Sequence, residues 1–158
     1  MPFMMEACEW FGDQARAGTL KVAMIVGHWD VSGLGATASM AVPGFYDEMK
    51  GLPGCRELDG KGMLKFFMGH THCNVPHPHG NVNTGFMVAG QGMEGCANYG
   101  IPILDTTDDR IRVLHFEITA ANGTDSYDAT MACLKTASSW RGCAHLAEVW
   151  LDQPIDDA

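Results

Sequence analysis

The fold of this chain is decided by residues 63–72, MLKFFMGHTH. The first part is an apolar run that predicts a buried strand, and the stretch ends in Gly69-His70-Thr71-His72. The glycine before the histidines permits a sharp turn and a close approach by an ion. Two imidazoles one residue apart at the end of a strand are able to converge on a metal or a metal pair.

The same pattern occurs upstream of this stretch. Residues 21–26, KVAMIV, form a second apolar run, which is followed by Gly27-His28-Trp29. Its apolar character indicates burial on both faces, as in a sheet covered by helices. Because both strands end in Gly-His, we predict one site at one edge of a sheet, with His28, His70 and His72 as metal ligands. The alternative for any single histidine is a hydrogen bond to a neighbouring loop.

The order of these motifs resembles the last two metal-binding motifs of the calcineurin-like metallophosphoesterases. In that family a lone histidine after one strand is followed by G-H-x-H after another, and the resemblance covers roughly residues 4–118. It implies an α/β fold that is the C-terminal portion of a four-layer αββα sandwich, and it implies metal-dependent hydrolysis of phosphate esters. By the same resemblance His28 and His70 bind one metal, and His72 binds the other.

The implied reaction uses two divalent ions that clamp a phosphate and lower the pKa of a bridging water. Trp29 is a candidate to wall the pocket or stack on a substrate ring, and a hydrophobic plug beneath the loop is the alternative. Asn74 is a candidate to donate to a phosphate oxygen, and a turn residue that hydrogen-bonds its own backbone is the alternative. Both are therefore predicted substrate-binding residues.

The chain lacks the D-x-H, G-D-x-x-D and G-N-H motifs that supply the carboxylates and the other ligands in that family. Without a bridging carboxylate two cations would repel each other, so we expect at most one divalent metal ion here. Imidazole accepts several metals and does not specify which one. The expected function is phosphoester hydrolysis that is incomplete in the isolated chain. The alternative is a non-catalytic binding scaffold derived from a phosphoesterase.

Composition limits the partners. The chain has 158 residues and is 46% hydrophobic, which suits one globular core. Its net charge of −9 disfavours binding to nucleic acids or to membrane surfaces. The expected partners are a phosphate-ester substrate in the complete site, and a protein partner or the missing N-terminal half that covers an exposed strand edge. The sequence shows no signal peptide and no membrane span, which predicts a cytoplasmic location.

The six cysteines show no C-x-x-C pattern. Without a secretory signal they are expected to be free or buried thiols. The alternative at one pair is a disulfide between Cys133 and Cys143, which are ten positions apart. A separate zinc module around Cys73, His77 and His79 is a further alternative. The intervening prolines count against it, because they fix an extended backbone.

The chain is predicted to divide into a partial phosphoesterase-like domain (residues 1–118), a linker (119–127) and a helical C-terminal tail (128–158). Hydrophobic spacing in the tail predicts helix through Trp150, and the acidic runs 105–109 and 152–158 are expected to be a solvated turn and a frayed terminus. Within the first domain we predict these further elements: a helix from Met4 to Arg16, a short helix from Val42 to Met49, a strand from Asn83 to Ala89, and a hairpin of Ile101 to Thr106 with Ile111 to Ile118.

Overall fold

The computed structural model describes residues 2–27, 48–69, 74–79, 82–88, 100–117 and 125–155. The fold is mixed α/β, with helices and two sheets, as predicted. The elements in chain order are α1 (Pro2–Arg16), β1 (Ala23–Gly27), α2 (Cys55–Gly60), β2 (Leu64–Met68), β3 (Val75–His79), β4 (Val82–Met87), β5 (Gly100–Thr106), β6 (Arg110–Glu117), α3 (Asp125–Thr136), a 3₁₀ helix (Trp140–Leu146) and β7 (Glu148–Pro154). Residues 48–51 are helical as well, while the earlier part of the short helix predicted from Val42 lies outside the described residues.

The chain divides into two compact units. The first unit comprises Met1–Thr71, Pro76–Met87 and Ile155–Ala158, and the second comprises His72–Val75 and Val88–Pro154. Of the predicted linker, residues 119–124 lie outside the described part of the chain, and the remainder begins α3. The strands β6 and β7 lie on opposite sides of that linker in the sequence and pair in one sheet.

The first unit contains a four-stranded sheet in the order β1-β2-β4-β3. β1 and β2 are parallel from the pair Ala23 and Leu64 to the pair Gly27 and Met68, and β2 and β4 are also parallel. The proline-containing β3 is at one end of this sheet, where a residue without an N–H is tolerated. The carboxyl ends of β1, β2 and β4 therefore lie along one edge of the sheet.

The central strand β2 is buried on both faces. On one face Leu64, Phe66 and Met68 pack in a core with α1 and α2, to which Cys8 and Leu58 contribute. On the other face the ring of Phe67 stacks on that of Phe86 in β4, with centroids 5.0 Å apart. The prediction of a buried strand covered by a helix on at least one face is confirmed.

Close packing of α1 against the start of α2 depends on Gly54. Its φ is +77°, and a Cβ at this position would lie 2.0 Å from the carbonyl oxygen of Cys8. Only glycine fits, because both the backbone conformation and the space exclude a side chain. The adjacent Cys55 forms a disulfide with Cys8, so α1 and α2 are joined covalently next to this contact.

The second unit contains the antiparallel sheet β5-β6-β7. The predicted hairpin of β5 and β6 is confirmed, with Gly100 opposite Glu117 at one end and Thr106 opposite Ile111 at the other. Leu114 and Phe116 of β6 form a core with α3 and the 3₁₀ helix, which the Cys133–Cys143 disulfide joins to each other. The helices therefore cover one face of this sheet.

The predicted helical tail is correct only in its first part. Helical structure ends at Leu146, and β7 pairs with β6 instead of continuing the helix. The spacing of Trp140, Leu146 and Trp150 is compatible with a helix, but Val149, Trp150 and Leu151 also favour a strand, and pairing with β6 decides between the two. A register shift between Val113 and Leu114 accommodates β7.

Candidate functional site

The two Gly-His steps of the sequence begin side by side. Gly27 is the last residue of β1, and its carbonyl oxygen accepts a hydrogen bond of 3.0 Å from the N–H of Gly69, the residue that follows β2. His28 and His70 come next in the sequence. Because adjacent strands lie about 4.8 Å apart, Gly27 and Gly69, the residues before these histidines, occupy neighbouring positions on one edge of the sheet.

The side chains of the predicted site are only partly described. The metal-ligand candidates His28, His70 and His72, with Trp29, lie outside the described residues. Asn74 is described, is 2% exposed and has an interaction partner in the fold. Its role toward a substrate stays a prediction.

No group of three or more histidine, cysteine, aspartate or glutamate side chains suited to a metal occurs within the described ranges. The ligands predicted from the sequence, His28, His70 and His72, lie outside these ranges. The described part of the chain therefore contributes the strand framework of a candidate metal site.

Lys65 is a buried charged residue that the sequence analysis did not single out. It lies in the middle of β2, is fully buried and has an interaction partner in the fold. Burial lowers the pKa of Lys65 to about 8, and the negative charge of Asp59 opposes this shift. A lysine within an apolar strand is the signal that could have identified it, since burial of an ammonium group is costly.

Replacement of Lys65 by methionine is expected to stabilise the protein by about 2–4 kcal/mol at neutral pH, because each pH unit of a pKa shift corresponds to about 1.4 kcal/mol. The folded pKa of about 8 lies below the ordinary 10.5, so the penalty is complete below pH 8 and declines as the pH rises to 10.5. Denaturant unfolding across this range should show wild-type stability approaching that of Lys65→Met. The matched control is the exposed Lys61→Met, and a constant difference between wild type and Lys65→Met would contradict the argument.

Asp105 forms the centre of a buried ion-pair cluster in the second unit. Its side chain is 1% exposed and accepts hydrogen bonds from Arg112 in β6 and, at 2.5 Å, from Arg141 in the 3₁₀ helix. Burial raises the pKa of Asp105, but the two arginines outweigh burial and hold that pKa below its usual value. The sequence prediction of a solvated acidic turn is therefore wrong at Asp105. Arg141 also lies over the ring of Trp140, 4.7 Å from its centroid.

The tail run of acidic residues also begins inside the fold. Asp152 lies in β7 and pairs with Arg110 of β6. Both side chains remain partly exposed, so this pair contributes less than the Asp105 cluster. The prediction of a frayed terminus is wrong for Asp152, because pairing of β7 with β6 fixes this segment.

His115 is buried in β6, as expected for a structural histidine. Its ring stacks on Trp150 with centroids 4.5 Å apart, and its Nδ1 lies 4.0 Å from a carboxylate oxygen of Glu148. Burial lowers the pKa of His115 against the opposing charges of Glu148 and Glu117. Gly100 leaves the room that the ring needs, because a Cβ there would lie 2.0 Å from Nε2. At 4% exposure the imidazole is enclosed by these neighbours, which agrees with the predicted structural role.

The cysteines differ from the sequence prediction. All four cysteines in the described ranges form disulfides, Cys8 with Cys55 and Cys133 with Cys143. The Cys133–Cys143 bridge is the one that sequence spacing suggested. The prediction of thiols is wrong for Cys8 and Cys55. The packing of α1 against α2 brings together these two residues, which are 47 positions apart in the sequence.

Comparison of the chain with protein-family models, with curated proteins and with solved structures found no match. None of the described helices is both long enough and apolar enough to cross a membrane.

Proposed function

We propose that this chain supplies the imidazole half of a metal-dependent phosphoesterase site, with His28, His70 and His72 as ligands to a divalent ion. The observation that supports the proposal is the hydrogen bond between Gly69 and Gly27, which places the two glycines that precede His28 and His70 in the sequence next to each other at the edge of a parallel sheet. Carboxyl ends of parallel strands are the usual position of ligand sites in α/β folds. The metal would polarise a phosphate oxygen and activate a water for attack.

The proposed fold is the C-terminal portion of an αββα metallophosphoesterase sandwich. Support comes from the parallel strands β1, β2 and β4, whose core is covered by α1 and α2, and from the helices on the sheet of the second unit. Since carboxylate motifs of the family are missing from the sequence, the isolated chain binds at most one ion and does not turn over substrate. A partner or a further segment would complete the site.

We further propose an oxidising compartment for this protein. The cytoplasmic location stays a prediction from sequence. The two disulfides among the described residues favour an oxidising compartment instead, because such bonds are rare where thiols are kept reduced. Non-reducing and reducing mass measurement of the natural protein would decide between these locations.

Metal titration tests the proposed site. The wild-type chain is expected to bind one equivalent of Mn²⁺, Fe²⁺ or Zn²⁺ and to leave a generic aryl phosphate unhydrolysed. His70→Ala should weaken metal binding by at least about 100-fold, since loss of even an outer-shell partner costs about 10–100-fold. The measurement is calorimetry together with metal analysis after gel filtration.

The control is His145→Ala, which removes an exposed histidine from the 3₁₀ helix. This variant should bind metal as the wild type does. Equal affinity in wild type and His70→Ala would refute the proposed ligand set, and turnover by the isolated wild-type chain would refute the statement that the site is incomplete.

A further inference from the structure

The two disulfides in the described part of the chain differ in burial. Cys8 and Cys55 are both at 0% exposure, where α1 packs against α2. In the other bridge Cys143 is also at 0% exposure, whereas Cys133 in α3 is only partly buried. A thiol must reach a sulfur atom in order to exchange with a disulfide. Cys133 is therefore the most accessible of these four cysteines to a thiol in solution.

Local charge favours exchange at the same bridge. The attacking species is a thiolate, which is anionic, so cations near a disulfide promote its approach. Within three positions of Cys133 and Cys143 the charged residues are Lys135 and Arg141. Within the same distance of Cys8 and Cys55 the charged residues are Glu6, Glu9, Arg56 and Glu57. The surroundings of the first bridge are therefore basic, and those of the second are acidic.

The accessible bridge fixes the segment that holds the buried carboxylate of Asp105. The 3₁₀ helix that contains Cys143 is seven residues long, and such short helices depend on tertiary contacts for their stability. Its covalent contact is the bridge to α3, and its ionic contact is the hydrogen bond of 2.5 Å from Arg141 to Asp105 in β5. Both contacts hold the same short helix in place, so a change in one is expected to affect the other.

We propose that the Cys133–Cys143 disulfide is a redox-sensitive switch, which a small-molecule thiol opens in the folded protein and which controls the contact between Arg141 and Asp105. A thiolate attacks Sγ of Cys133, so a mixed disulfide forms there while the bond to Cys143 breaks, and the Cys143 thiolate takes a proton from water. A second thiolate attacks the sulfur of the bound thiol, and Cys133 leaves and is protonated in turn. The protein gains two electrons and two protons, and the two thiols are oxidised to one disulfide.

Reduction is expected to loosen the 3₁₀ helix without unfolding the second unit. Without the bridge the segment that carries Arg141 gains conformational freedom, so holding its guanidinium on Asp105 costs more entropy. Arg112 lies in β6 and keeps its own bond to Asp105, because the strand pairing of β5 and β6 does not involve the disulfide. The reduced protein therefore retains the sheet, while the buried carboxylate loses one of its two arginines.

The first test follows the reduction of the folded wild-type chain by dithiothreitol at neutral pH. Samples are quenched with acid and alkylated in denaturant, and peptide mass mapping then gives a reduction rate for each bridge. Cys133–Cys143 should open at least about tenfold faster than Cys8–Cys55, because access to a sulfur controls the rate of exchange. Equal rates, or earlier opening of Cys8–Cys55, would overturn the proposal.

Amide hydrogen exchange tests the structural consequence in the protein with this one bridge reduced. The N–H groups of Gly142 and Ala147 donate to the carbonyl oxygens of Ser139 and Ala144. Exchange at both amides should accelerate by about tenfold or more on reduction, because local opening of the 3₁₀ helix becomes easier. Exchange at Phe66 in the first unit is the control and should not change. Unchanged exchange at Gly142 and Ala147 would show that the bridge is reducible without acting as a switch, and it would overturn the proposal.

A variant of the ion pair tests the coupling in the opposite direction. Coupling between two sites is reciprocal and typically amounts to about 5–150-fold. Arg141→Gln should therefore raise the equilibrium constant for opening of Cys133–Cys143 by about fivefold or more, measured in mixtures of reduced and oxidised dithiothreitol. Arg141→Lys keeps the charge and should retain most of the wild-type value.

The matched control is Arg56→Gln, which changes an exposed arginine next to a cysteine of the other bridge. This variant should leave the opening of Cys133–Cys143 unchanged. An equal constant in wild type and Arg141→Gln would overturn the proposed control of the Arg141–Asp105 contact. These measurements use no metal ion and no phosphate ester, so their outcome is independent of the proposed phosphoesterase site.

Discussion

Replacement of both Arg112 and Arg141 by glutamine is expected to lower the free energy of unfolding by about 3–5 kcal/mol at neutral pH, the usual cost of leaving a buried charge without its partner. Asp105 is the buried member of the cluster, at 1% exposure, whereas the side chains of Arg112 and Arg141 are 32% and 58% exposed. Loss of the arginines therefore leaves a carboxylate that cannot reach water. Urea unfolding of the variant measures the loss.

Because Asp105 is buried and the two arginines are partly exposed, a third substitution is expected to restore stability to the double variant. Addition of Asp105→Asn to the double variant removes the buried charge, so the triple variant should recover more than half of the lost stability. Asp105→Asn alone should cost less than the loss of both arginines, because the partly exposed guanidinium groups can turn to solvent. A triple variant as unstable as the double one would show that packing around the arginines, and not the carboxylate, explains the loss.

The pH dependence of the same variants has a definite sign. In the wild type the pKa of Asp105 lies below its usual value, so the stability that it contributes is present above that value and is lost as the pH falls through the folded pKa. Without the arginines only burial remains, and burial raises this pKa. The deficit of the double variant should therefore shrink as the pH falls, because the buried carboxyl group takes up a proton. The partly exposed Arg110 is the control, and Arg110→Gln should show a much smaller loss.

The strand framework of the candidate site could be predicted from the sequence, because burial of β2 on both faces leaves a readable apolar run. The adjacency of Gly27 and Gly69 agrees with the expectation that the two Gly-His strands share an edge. The burial of Asp105 could not be predicted, because one of its partners is Arg141, 36 positions away in the sequence. A local acidic run gives no sign of such a partner.

The strand β7 and the Cys8–Cys55 disulfide were missed for a related reason. A short segment such as Glu148–Pro154 fits both a helical and an extended pattern, and only its pairing with β6 selects the strand. Disulfide connectivity does not follow from the positions of cysteines in a sequence. In both cases the deciding contact is made by a distant segment, so the information is in the tertiary structure.

Removal of the Cys8–Cys55 disulfide is expected to cost about 4 kcal/mol, because the bridge closes a long loop and restricts the unfolded chain. The two residues are 47 positions apart, and both are fully buried where α1 packs against α2. The Cys133–Cys143 bridge spans 10 positions and should contribute about 3 kcal/mol by the same argument. The measurement is urea unfolding of Cys8→Ala/Cys55→Ala beside Cys133→Ala/Cys143→Ala.

The order of the two stability losses is a sharper test than either value. The cysteine-to-alanine substitutions are the same in both variants, so the length of the loop that each disulfide closes is the difference that the comparison measures. The Cys8→Ala/Cys55→Ala variant should be the less stable of the two in oxidising buffer. In reducing buffer the wild type should lose the stability contributed by both bridges, since the reduced chain has no closed loop. A larger loss for the shorter bridge would show that native packing around Cys143, which is fully buried in the second unit, outweighs the entropy of the unfolded chain.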